Sequence, residues 1–247
     1  MSKTTIRERA AGAVMGAFIG DAMGLGPHWY YDLAEMRRDY GDWITGYTDP
    51  KPGRYHAGLK AGQLSQAGFI LRLTLESLVA CGGYDKADFC RRMDEELLPL
   101  LNGTPVSGPG GYTSQSIREL WRQRVQQNVP WSATGGPADD TEAIERTLAL
   151  AVRYALQPAR LATTITANTL LTQNDPAVVA MTVAYGAVLG MLVQGHALNP
   201  QLSGKLMRLV NKGELPFHHI TGDNLQPPRP GDPTRPGPGC SPPPTPC

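Results

Sequence analysis

Residues 12–32 read GAVMGAFIGDAMGLGPHWYYD, and further along residues 61–69 read AGQLSQAGF. In the first stretch Gly12, Gly16 and Gly20 recur at every fourth position of a run rich in Ala and Met. That spacing lines the glycines along one face of a helix predicted over residues 6–20, where another backbone could approach closely. A glycine inside a helix costs about 1 kcal/mol relative to alanine, so the pattern predicts compensating tight packing on that face. In the second stretch Gly62 and Gln63 lead into a helix reaching residue 79, with Ser65 and Gln66 in its first turn. Free backbone N–H groups beside small polar side chains at such a turn are where ligand and metal sites are often built.

Outward from these two segments the same helical period recurs over residues 33–38, 65–80, 86–101, 114–127, 140–156, 161–171, 176–194 and 200–212. The connections are rich in turn residues: TDPKPGRYHAG, NGTPVSGPGGYTS and SATGGPADD. No run alternates with the period of a strand. The pattern predicts an all-α, compact multi-helix domain over residues 1–222, with its functional groups on the loops at helix N-termini.

A chain of 247 residues with 41% hydrophobic residues can build a substantial core. Its 23 basic and 22 acidic residues leave a net charge of +1, so no global field recruits nucleic acid or an anionic membrane. The longest apolar stretch, over 177–193, is interrupted by Thr, Tyr and Gly and is read as short of the ~20-residue bilayer span. The charged N-terminus, MSKTTIRERA, carries no cleavable apolar segment, and the reading is a cytoplasmic protein. Cys81, Cys90, Cys240 and Cys247 show neither a metal-ligand spacing nor a disulfide framework, so Cys81 and Cys90 are read as free buried thiols.

From Asp223 the chain reads DNLQPPRPGDPTRPGPGCSPPPTPC, which holds ten of the 22 prolines and no apolar periodicity, a composition that predicts disorder over 223–247. Two origins compete for this tail: a natural proline-rich linker, or the out-of-frame end of a longer coding sequence. The second is preferred, because FHHITGDNLQPPRPG reads like the middle of a domain. The domain is then expected to be incomplete at its C-terminal end.

The segments GAVMGAFIGDAMGLGPHWYYD and AGQLSQAGF, in this order and spacing, resemble the ADP-ribosylglycohydrolase family, and within it the branch that includes the J-crystallins. The similarity covers residues 6 to about 226. It implies an all-helical fold that binds two magnesium ions and hydrolyses the glycosidic bond between ADP-ribose and a protein side chain. The implied partners are an ADP-ribose-like small molecule or an ADP-ribosylated protein, with no nucleic acid and no membrane. Magnesium needs hard oxygen ligands, so carboxylates are central to that chemistry.

Against the family pattern the carboxylates are displaced. Active members follow the Gly-Gln pair with one residue and then Thr-Asp-Asp-Thr, where this chain has Ser65, Gln66, Ala67 and Gly68. Near the position of a family Glu it has His28, and a late His is replaced by Gln173. The family's second acidic cluster falls beyond the start of the tail. One acidic group remains, in GGPADDTEAIERTLALA: Asp139, Asp140 and Thr141. These are read either as a relocated magnesium set assisted by Ser65 and Gln66, or as an N-cap, with Asp139 capping and Glu142 closing a capping-box-like turn.

Asp21 and Asp140 are the candidate catalytic carboxylates. Asp21 either orients a ribose hydroxyl or binds the N–H groups of the GLGP turn that follows it. The loop GPGGYTSQS is read either as an ordinary connection or as a source of ligand contacts in Gly110, Gly111, Tyr112, Thr113 and Ser114, with glycines for close approach, a helix start for a pyrophosphate, and a ring that either stacks on an adenine or packs. The aromatic run HWYYD, Trp121 and Trp131 are read as core or interface. His56, His218 and His219 have no carboxylate partner evident from sequence, and no nucleophilic triad is indicated. Two functions follow: a magnesium-dependent hydrolase of an ADP-ribosyl or related bond, or a catalytically silent, crystallin-like structural or ligand-binding protein.

Overall fold

The computed structural model of the chain describes residues 4–215. The proline-rich tail, His218, His219, Cys240 and Cys247 lie outside the described residues. Within them the chain forms nine helices: α1 (Ile6–Gly24), α2 (Leu33–Tyr40), α3 (Gln66–Cys81), α4 (Lys86–Arg92), α5 (Gln115–Trp121), α6 (Glu142–Arg153), α7 (Pro158–Thr169), α8 (Pro176–Gln194) and α9 (Gln201–Asn211). Wide π turns over 93–97 and 122–126 extend α4 and α5. No strand occurs among the described residues; one isolated bridge joins Gly136 and Gln173.

Local chemistry sets most of the helix ends. Thr5 and Glu8 form a reciprocal capping box at the start of α1, with Glu8 Oε2 accepting from Thr5 N at 2.7 Å. Asp32, Ser65, Asp85 and Asp175 cap α2, α3, α4 and α8 with their side chains. Pro176 follows Asp175 at the first position of α8, where its missing N–H costs nothing, and Gly195 closes that helix in the left-handed conformation. Helix α6 departs from its expected start: its N-cap is Thr141, and Asp139 forms no capping box.

Two hydrophobic clusters share α3 as a wall. On one side Leu71 and Leu78 meet Leu150 and Tyr154 of α6, Leu161 and Ile165 of α7, and Val183 and Ala187 of α8. On the other, Ile70 and Leu73 meet Phe89, Met93, Ile117 and Leu120, with Trp121 and Trp131 packed against them. The two tryptophans are therefore core-edge residues. Burying a large aliphatic or aromatic side chain contributes about 1.5–3 kcal/mol, so these clusters hold the helices whose starts form the site.

The glycines behave differently from expectation. Among the described residues nothing lies within 4 Å of a side chain built at Gly12, Gly16 or Gly20, and Met15 and Ile19 beside them are 57% and 42% exposed. Close helix packing instead uses α8: a methyl at Gly186 would strike Ile165, and one at Gly190 would press on Leu161 at 3.1 Å. By length and composition alone α8 could cross a bilayer, contrary to the sequence reading, but it packs on α6, α7 and α1. Cys90 is buried as expected, whereas Cys81, the last residue of α3, is exposed.

Candidate functional site

Two aspartates, each on a different wall, bind a serine in the same way. Asp21, in the last turns of α1, accepts from the Ser65 backbone N at 2.8 Å through one oxygen and from Ser65 Oγ through the other. Ser65 Oγ in turn accepts from Gly68 N at 3.3 Å as the N-cap of α3. A methyl at Gly68 would collide with the Asp21 carboxylate, so glycine makes this approach possible. The negative charge sits at the positive end of the α3 dipole. Asp21 thus fastens α1 to α3, and the GLGP turn is closed without it by His28 N donating to Gly24 O at 2.9 Å.

Asp140 repeats the pattern opposite α5. Its two oxygens accept from Ser116 N and Ser116 Oγ, both at 2.8 Å, and one also accepts from Glu142 N at 3.3 Å. Ser116 Oγ lies 3.2 Å from Ser114 Oγ. Gln173 fixes the acidic loop from below. Fully buried, it donates to the carbonyls of Ala138 and Asp140 at 2.9 and 2.7 Å and accepts from Ala143 N at 3.1 Å. Its glutamine chemistry, a donor and an acceptor in one group, suits that clamp.

The 108–116 loop is docked on the start of α3. Gly110 has φ 84°, and a side chain there would place its first carbon 2.6 Å from Gln66 Cα and closer still to Gln66 N. Gln66 donates to Thr113 Oγ1 at 3.0 Å; both residues are buried. His56 Nδ1 lies 2.7 Å from the Gly110 carbonyl, so it carries the proton and donates there. His56 Nε2 is then the acceptor for His28 Nδ1 at 3.0 Å. This neutral pair agrees with the chemistry around it: burial and the neighbouring His56 lower His28 to about 4, and burial lowers His56.

Tyr112 already packs against two rings, Trp29 and Tyr55, each with centroids 5.1 Å away, and the Arg118 guanidinium lies 6.0 Å from its own centroid. Trp29 adopts φ 68°, a costly conformation for an aromatic residue, within this three-ring cluster.

Behind Asp140 lies Glu145, which sequence reading passed over. Thr141 Oγ1 donates to Glu145 at 2.7 Å. Glu145 is reached by solvent, yet its carboxyl is raised to about 7 by the protein crowded around it and by the charges of Glu142, Asp21 and Asp140. Glu142 is buried against the fully buried Arg146, which also donates to Asn168 Oδ1 at 2.7 Å and Thr172 Oγ1 at 3.0 Å. The signal for Glu145 was the Thr141–Glu145 spacing of four within one helical turn. His28 and His56 gave no local signal, being 28 residues apart.

The predicted residues therefore fall into three sets. Asp21 with Ser65, and Asp140 with Thr141, lie close enough for both aspartates to act on Glu145, which was not predicted. Gly110, Gly111 and Thr113 join through Gln66 and His56. Asp139 is exposed and makes no hydrogen bond to this network. Among the described residues no three His, Cys, Asp or Glu side chains are grouped to hold a metal ion. Among the described residues the predicted oxygen donors are engaged within the protein: Gln66 donates to Thr113, the two aspartates hold serines, and Asp139 stands apart.

The sequence model of the ADP-ribosylglycohydrolase family matches residues 2–223. No curated protein matches the chain.

Proposed function

The chain belongs to the ADP-ribosylglycohydrolase family, and from that premise we propose that it binds an ADP-ribosyl group, free or on a protein, without a paired-magnesium centre. The observation that carries this reading is the double clasp of Asp21 on Ser65 and Asp140 on Ser116, which holds the frame of a site while its carboxylates bind protein donors. Ribose hydroxyls are donors and suit the carboxyl-lined side at Asp21, Asp140 and Glu145. The diphosphate suits Arg118 and the 108–114 backbone, where a cation and a glycine-rich loop lie. This keeps the crystallin-like alternative of a retained fold, with ligand binding as its content.

A second reading, hydrolysis of the bond without paired magnesium, is favoured by Glu145. Glycosidic cleavage commonly uses two carboxyl groups, one of which keeps its proton near neutral pH, and Glu145 is raised to about 7 beside Asp21 and Asp140. The test is a thermal melt of the purified chain titrated with ADP-ribose in magnesium and in EDTA, since a ligand of the native state raises the midpoint. An equal upward shift in both buffers is expected. A shift confined to magnesium overturns the metal-free reading, and no shift in either buffer overturns binding. Release of ADP-ribose from a modified peptide in EDTA, lost in Glu145→Gln, would establish the second reading.

A further inference from the structure

Away from this site, α7, α8 and α9 surround a cavity of about 390 Å³. Its floor is apolar: Leu161, Ala187 and Met191 are buried there, and Leu209 covers one side. Its rim is cationic, formed by Lys205 and Arg208 of α9 and Lys212 at its C-cap, with His196 from the turn after α8, and no acidic side chain lines it. The volume lies in the range of small-molecule pockets, roughly 300–1,000 Å³.

The three cations sit at i, i+3 and i+7, which brings them to one face of α9, where like charges repel. Among the described residues none of them pairs with a carboxylate within 4 Å. The negative end of the helix dipole accounts for Arg208 and Lys212 but not for Lys205, in the middle of the helix. Lys205 is half-buried, and its Nζ lies 2.9 Å from His196 Nδ1, a contact that holds the ammonium at the cavity rim. A fixed ammonium and two further cations above an apolar floor ask for one kind of occupant.

We propose that this cavity binds a single-chain amphiphile with an anionic head and an apolar tail, of which a medium-chain carboxylate is the simplest. The head meets Lys205 and Arg208, and the tail lies on Leu161, Ala187 and Met191. The proposal is independent of the ADP-ribosyl site. Its test is calorimetric titration of the full chain with octanoate, 1-octanol and acetate, each below its aggregation limit. Octanoate is expected to saturate one site, with 1-octanol and acetate at least about tenfold weaker, because head and tail are both required. Arg208→Glu, at an exposed position, is expected to weaken octanoate by at least about tenfold while the thermal midpoint is retained. Met191→Trp is expected to block the cavity while leaving the rim intact. Equal binding of 1-octanol, unchanged affinity in Arg208→Glu, or no octanoate binding overturns the proposal.

Discussion

Replacing Gly110 by alanine tests the docking of the 108–116 loop on the start of α3. At φ 84° an L-residue pays about 1–2 kcal/mol in backbone strain. The new methyl would lie 2.6 Å from Gln66 Cα and nearer to Gln66 N, and neither atom belongs to a flexible side chain. Loop and helix must separate, which adds about 1–3 kcal/mol of overpacking. Separation also stretches the 2.7 Å bond from His56 to the Gly110 carbonyl and the 3.0 Å bond from Gln66 to Thr113, worth about 1 kcal/mol each. These terms overlap, because relieving the clash is what breaks the bonds, so the expected loss is about 3–5 kcal/mol. For a chain of this size that lowers the melting midpoint by roughly 6–20 °C. The assay is urea unfolding of both chains followed by far-ultraviolet dichroism, with the ADP-ribose titration repeated on the variant. A loss below about 1 kcal/mol would refute the close approach of loop and helix on which the site depends.

Gly12→Ala and Gly16→Ala should each stabilise the chain by about 0.5–1 kcal/mol, because they replace open helical glycines; a lower melting midpoint in either would show a partner on that face. Arg146→Met should cost about 3–5 kcal/mol in urea unfolding by leaving Glu142 buried without its cation, and adding Glu142→Gln should recover part of that loss; equal stability of Arg146→Met and the parent chain would contradict the buried pair. Glu145 is raised to about 7 from its ordinary 4.5, so the folded chain holds a proton there that the unfolded chain releases. Its contribution is full below pH about 4.5 and is lost as pH rises through about 7, and Glu145→Gln should flatten the melting midpoint over that window. His28, lowered to about 4, has the opposite sign: stability present above pH about 6.5 is lost as pH falls through about 4, and His28→Gln should reduce that acid sensitivity in the same melts.

All nine helices among the described residues were legible in the sequence, because their signals are local. A 3.6-residue period, a Ser or Asp one residue before the first turn, and a proline or glycine at an end all act within a few positions. Asp175-Pro176 opening α8, and Gly195 closing it, could be read without any tertiary contact. The family followed from two short segments in order. What only the tertiary structure decided was which surfaces and side chains meet. The four-residue glycine spacing of α1 looked like a packing face, but a period fixes only which residues share a side, and it was Gly186 and Gly190 of α8 that received neighbours. Asp21 found Ser65 across 44 residues, Asp140 found Ser116 across 24, and His28 found His56 across 28. Gln173, an apparent loss against the family pattern, became the clamp of the acidic loop. Such pairings carry no local signal, because they depend on how whole helices are brought together by the cores on either side of α3.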